Sequence, residues 1–141
     1  MKPSSLIYPM FAMVVLTGVV LVTVFRSRVR AVREGAIPSS YYRLYQSGTE
    51  PEYARKAGRH FSNLFEAPTL FYAGCLAAMA TDVSGAGILI LAWLYVAARI
   101  IHALIHLGGN RLRYRIRAYF AGWVVLAVLW VTVVVAVTIR P

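Results

Sequence analysis

The sequence predicts an all-α integral membrane protein, a bundle of four spanning helices. Three observations carry that expectation: 60% of the residues are apolar with a mean hydropathy of +0.65, the apolar residues fall in runs of about twenty, and the basic residues occupy the gaps between those runs. The 141 residues suit one domain, 1–141. Fifteen Lys and Arg against five Asp and Glu give a net charge of +10. A basic excess points to nucleic acid or to anionic lipid, and the long apolar runs decide for membrane lipid, with no nucleic-acid partner. A single cysteine, Cys75, excludes an internal disulfide framework and a cysteine-rich metal site, and is read as a packing residue.

The first span covers residues 6–25, twenty positions without a charge, which at about 1.5 Å per residue match the roughly 30 Å apolar thickness of a bilayer. Only Lys2 precedes it, whereas Arg26, Arg28, Arg30 and Arg33 follow, the reverse of a cleaved leader, so a retained helix is expected. Gly35 to Tyr53, with Pro38, Pro51, Gly48, Ser39, Ser40 and several tyrosines, reads as a connection. The second span covers about 60–81. Its helical pattern begins earlier, near Ala54, and Pro68 is taken as a tolerated kink. Asp82, Ser84, Gly85 and Gly87 end it. The third span, 86–107, is interrupted by Arg99, His102 and His106, and the fourth, 118–139, has Tyr119 as its one ionisable residue.

Eight Lys and Arg lie between Arg26 and Arg59, and Arg111, Arg113, Arg115 and Arg117 separate the last two spans, while the turn around Asp82 has none. The positive-inside rule places both basic segments in the cytoplasm and both termini on the opposite side. Arg111, Arg113 and Arg117 suit contact with anionic headgroups.

A charge inside a span costs roughly 2.5–3.5 kcal/mol on the insertion scale, so each polar residue there needs a reason. Three groups stand out. Arg59, Asn63 and Glu66 share one helical face, as do Arg99, His102 and His106, and as do Arg111, Arg115 and Tyr119. All three groups fall at the same membrane side and can meet around one cavity. Glu66 and Arg99 lie at similar depth and are expected to pair, within one subunit or across an interface. His102 and His106 form an H-x-x-x-H pair without a compelling third ligand, so no metal is assigned. No helix has a polar face along its full length, which argues against a conduction path.

The run Arg59-His-Phe-Ser-Asn63-Leu-Phe-Glu66-Ala-Pro68 resembles the helix-two signature of the membrane-associated proteins in eicosanoid and glutathione metabolism, the MAPEG family. Arg99-x-x-His102, followed by Arg111, Arg115 and Tyr119, is similar to its second motif, and the Asn-Leu-Phe-Glu-Ala-Pro version resembles a bacterial branch. The resemblance implies a homotrimer of four-helix subunits in a bacterial inner membrane, with glutathione as cosubstrate and a lipophilic small molecule as electrophile. Carried over by position, Arg30, Arg59, Asn63, Glu66, His102, Arg115 and Tyr119 are the implied glutathione contacts, and Arg115 is the implied catalytic residue. The implied activity is that of a thiol-dependent transferase or peroxidase. Ser62 stands where glutathione-binding members commonly have a second arginine, His106 replaces a frequent tyrosine, and Ile116 replaces a small polar residue. These departures keep open a non-catalytic, lipid-binding member of the same fold.

Overall fold

A computed structural model describes residues 2–45 and 48–139. Met1, Arg140 and Pro141, at the ends of the expected 1–141 domain, and Gln46 and Ser47, in the expected connection, lie outside the described residues. Every regular element among the described residues is helical. A 3-10 turn, Pro3–Leu6, leads into α1 (Ile7–Arg33), followed by the short α2 (Tyr41–Leu44), α3 (Glu52–Asn63), α4 (Ala67–Ala80), α5 (Ala86–Leu107) and α6 (Leu112–Thr138). Three segments, Pro3–Arg33, Ala86–Leu107 and Leu112–Thr138, are long and apolar enough to cross a membrane.

The expected second span is two helices of 12 and 14 residues rather than one. Pro68, in the first turn of α4, has no N–H to offer the Leu64 carbonyl four residues back, and its ring would collide with that carbonyl in a continuous helix. The chain therefore leaves helical geometry at Leu64–Glu66, where Glu66 has φ −91° and ψ −97°. Pro68 is thus a break, not the mild kink the sequence suggested.

The packing joins these pieces around one core. The α5–α6 hairpin is the most extensive helix pair, α1 lies along α3, and α4 packs on α6. Phe71 of α4 stacks on Tyr95 of α5 with ring centroids 4.5 Å apart and planes 15° apart, and both are fully buried with Met13, Val20, Leu126 and Leu129 around them. The α4–α6 approach is close because Gly74 lacks a side chain: a Cβ there would lie 2.9 Å from Leu129 Cδ2. Trp130 adds an interhelical bond, its Nε1 donating to the Leu70 carbonyl at 3.1 Å.

The outer faces of α1 and α6 stay apolar and uncovered, with Phe11, Val15, Val22, Val124 and Val131 all exposed. In the most apolar window of α6 only 22% of the residues are buried within the chain. Such a surface needs lipid or another copy against it.

Candidate functional site

The break in the second predicted span decides where polar groups collect. At the break the last carbonyls of α3 turn to nearer N–H groups, Phe61 and Ser62 accepting from Leu64 and Phe65 at 3.0 Å and Asn63 from Glu66 at only 3.4 Å, so the Asn63 carbonyl is the most weakly held, and inside a bundle a poorly paired carbonyl is costly. Arg99 of α5, only 1% exposed, answers this from across the bundle. Its Nη2 donates to the Asn63 backbone carbonyl at 3.2 Å and to Asn63 Oδ1 at 2.5 Å. Asn63 Nδ2 in turn donates to Glu66 Oε2 at 3.2 Å, across the break. The expected direct Glu66–Arg99 pair is therefore replaced, within the chain, by a relay in which Asn63 stands between the two charges. The amide is suited to that place because it accepts from one neighbour and donates to the other.

Helices α3, α5 and α6 then enclose a cavity of about 280 Å³. Arg59, Asn63 and Glu66 form one wall, His102 and His106 the second, and Arg115, Ile116 and Tyr119 the third. Tyr119 lies with its ring centroid 5.7 Å from that of His102, and the Arg99 guanidinium lies 6.0 Å from the Tyr119 ring. A smaller space of about 150 Å³ adjoins it, sharing Arg59, His106 and Arg115 and adding Glu52, Arg55, Lys56 and Asn110. Neither of the two ion pairs among the described residues involves Arg55, Arg59 or Arg115, so the combined hollow keeps a cationic lining with Glu52 and Glu66 as its acids.

Six of the seven residues singled out as ligand contacts thus share one cavity: Arg59, Asn63, Glu66, His102, Arg115 and Tyr119. Arg30 does not. It lies near the end of α1, exposed, with Nε 2.7 Å from Glu34 Oε1 and its guanidinium 4.8 Å over the Tyr53 ring. Tyr53 Oη also donates to Glu34 at 2.8 Å, and the bonds from Arg30 and Tyr53 together hold the Glu34 carboxyl below its ordinary range.

Three residues of the site region escaped the sequence pattern. His60 is fully buried, with ring centroids 5.3 Å from His102 and 5.0 Å from His106, and neither of its ring nitrogens has a hydrogen-bond partner. The available signal was its place on the apolar stripe Ala54, Ala57, Leu64, Ala67, where a histidine is out of character. Among the described residues no group of three or more His, Cys, Asp or Glu is arranged to hold a metal ion. Lys56 Nζ donates to the Gly108 carbonyl at 2.8 Å, and Asn110 Oδ1 accepts from Arg115 Nη1 at 2.7 Å. The Gly-Gly-Asn turn at residues 108–110 places both contacts, and only the fold brings Lys56 to it.

A further cavity, about 520 Å³, lies elsewhere, beside α1 and α2. Its walls are mainly apolar (Phe25, Val29, Val32), with Arg28 held 3.5 Å from Glu50 and its guanidinium 5.3 Å from the Tyr42 ring. Burial, with Glu50 beside it, pushes the Tyr42 hydroxyl up to about 12.

Comparison with known proteins agrees with the helix pattern. The model of the MAPEG family matches residues 6–135. Searches of curated proteins and of solved structures each returned no match.

Proposed function

The chain belongs to the MAPEG family, and from that premise we propose that it is a membrane enzyme using glutathione, or another low-molecular-weight thiol, against lipophilic electrophiles. The observation that carries this reading is the cavity itself: one polar hollow in an otherwise apolar bundle, lined by Arg59, Asn63, Glu66, His102, Arg115 and Tyr119.

The lining suits the ligand by charge. Glutathione carries two carboxylates and one ammonium group. Arg59 and the cations of the adjoining space are placed for carboxylates, which guanidinium forks bind in register, and Glu66 is placed for the ammonium. The thiol must lose its proton to act as a nucleophile. A guanidinium close to sulfur favours the thiolate by about one to three pKa units, and Arg115 is the residue assigned to that role. In a transferase step the thiolate sulfur forms a bond to the electrophilic carbon, whose leaving group departs with its electron pair. In a peroxidase step two thiols are oxidised to a disulfide while a lipid hydroperoxide is reduced to alcohol and water. An apolar electrophile concentrates in the bilayer, and the exposed faces of α1 and α6 put the bundle in that phase.

On the same reading α3 and α4 cross together as the second of four spans, the basic segments face the cytoplasm of a bacterium, and the active unit is a homotrimer. The uncovered apolar faces support the assembly.

The test is calorimetry of glutathione binding to detergent-purified protein with an ultraviolet scan for thiolate. The expected result is binding with a thiolate band that Arg115→Ala abolishes while the oligomer stays intact. Neither binding nor thiolate with any cellular low-molecular-weight thiol refutes it. A non-catalytic lipid-binding role is the alternative, and Ser62 favours it: its hydroxyl bonds back to the Gly58 carbonyl of its own helix at 3.3 Å, leaving the cavity without a second arginine there.

A further inference from the structure

The turn between α5 and α6 is anchored from both sides. Gly108 ends α5 where a Cβ would lie 2.7 Å from the Leu104 carbonyl oxygen, so no larger residue fits without movement. Asn110 follows with φ 46°, the left-handed region that asparagine tolerates better than most side chains, and its N–H donates to the Ile105 carbonyl at 2.9 Å. Lys56 of α3 ties the Gly108 carbonyl to the opposite wall of the cavity.

From this fixed turn the Asn110 amide oxygen receives Arg115 Nη1 at 2.7 Å, in a partly buried contact. A guanidinium presents its donors in one rigid plane, so holding one of them sets the direction of the rest. The chemical type of the acceptor matters as much as its place. A carboxylate there would orient Arg115 equally well but would offset its charge. An amide orients it and leaves the positive charge available.

We propose that Asn110 is a positioning residue that aims Arg115 into the cavity with its charge uncompensated, ready for an anionic ligand. That ligand is a thiolate on the function proposed above, and only the identity of the ligand rests on that reading. Glu52 is the one acid lining the adjoining space near Arg115, where Arg55, Lys56 and Arg59 outnumber it.

A reporter thiol tests the proposal without any bound ligand. Ile116 lines the same cavity next to Arg115, and Cys75 is buried, so Ile116→Cys supplies one accessible thiol. Its rate of alkylation by iodoacetamide at pH 7 follows its thiolate fraction and hence the nearby positive charge. Arg115→Ala on this background sets the floor. Asn110→Asp preserves shape and acceptor and adds a negative charge, and is expected to slow alkylation about tenfold, equivalent to roughly one pKa unit. Asn110→Gly keeps the left-handed backbone but frees the guanidinium, and is expected to slow it about threefold, an intermediate rate. A merely structural role predicts an unchanged rate in Asn110→Gly, which adds no charge of its own, and that result overturns the proposal, as does an unchanged rate in Asn110→Asp. Where Asn110→Asp gives no monodisperse protein, Asn110→Gly decides, and an unchanged rate overturns the proposal equally. Glutathione thiolate absorbance, recorded with and without Asn110→Asp in the native Ile116 background, separates the two ideas. A responsive reporter without any thiolate band upholds the positioning role and refutes the glutathione reading. A thiolate band indifferent to Asn110→Asp, with an indifferent reporter, does the reverse.

Discussion

Removing the Arg99 guanidinium tests whether it holds the break in the second predicted span. In Arg99→Met the two bonds to Asn63 disappear together, leaving its side-chain oxygen without its donor and its carbonyl with only the Glu66 N–H at 3.4 Å. Hydrogen bonds to charged groups are worth about 1.5–3 kcal/mol, and an acceptor left buried and unpaired costs about 1–3 kcal/mol. Against this stands the relief of no longer burying a charge that is 1% exposed, which is several kcal/mol. Polar contacts between membrane helices also measure at the low end, averaging about 0.6 kcal/mol. The balance is a loss of about 2 kcal/mol, or roughly 6–10 °C in melting temperature for a chain of this size. The assay is a double-mutant cycle with Asn63→Leu, followed by tryptophan fluorescence on heating in detergent. The double variant should be less destabilised than the sum of the singles by about 1–2 kcal/mol. Additivity within about 0.5 kcal/mol refutes the relay. Glu66→Gln is the control: Glu66 is exposed and reaches Arg99 only through Asn63, so its loss should be much smaller. A Glu66→Gln loss as large as that of Arg99→Met would restore the direct ion pair.

Two further outcomes follow from local geometry. Gly74→Val places side-chain carbon where even a Cβ would be 2.9 Å from Leu129 and 3.2 Å from Trp130 Nε1, so it should destabilise by about 1–3 kcal/mol and shift Trp130 emission; an unchanged melting curve would mean that α4 and α6 are not so closely packed. Because bonds from Arg30 and Tyr53 lower the Glu34 value from its ordinary 4.5, ionised Glu34 favours the folded α1–α3 contact above that pH, and the contribution is lost as the pH falls through the lowered folded value. Carboxyl-carbon NMR should show Glu34 titrating below 4.5, and Tyr53→Phe should move it upward; an identical titration in both proteins would remove Tyr53 from the interaction.

The apolar runs made three of the helices legible, because length and hydropathy are summed over some twenty residues and survive local exceptions. The broken span was harder. Pro68 was in view, but its effect depends on the carbonyl four residues earlier and on what is available to satisfy the groups it frees, which is a tertiary matter. The same cause explains the misplaced partner of Arg99. Charge alone points Arg99 to a carboxylate, whereas its nearest acceptors are a backbone oxygen and the amide beside it. Helical spacing did group the polar faces of the three helices, since residues three and four apart share a face whatever their tertiary context. Arg30 fell outside because its i,i+4 neighbour Glu34 claims it locally. His60 was masked by Arg59 beside it, although it lies on the buried stripe of α3.

The break and the cavity are one device rather than two features that coincide. In an apolar phase, irregular backbone persists only where protein groups satisfy it or where it lines a polar space. Pro68 denies the Leu64 carbonyl its helical partner, and the chain then turns at Leu64–Glu66. That turn sends the Asn63 carbonyl toward α5 and lets the Asn63 amide reach Glu66. Arg99 is buried against those acceptors, and the Asn63 carbonyl, otherwise held only by the Glu66 N–H at 3.4 Å, gains a shorter bond from Arg99. A Pro68→Ala substitution alone would remove the cause of the break, yet the continuous helix it permits would take the Asn63 carbonyl back into its own ladder and leave Arg99 buried without that acceptor. The break is thus held from two sides, by the proline that the helix cannot absorb and by the arginine that needs what the proline releases.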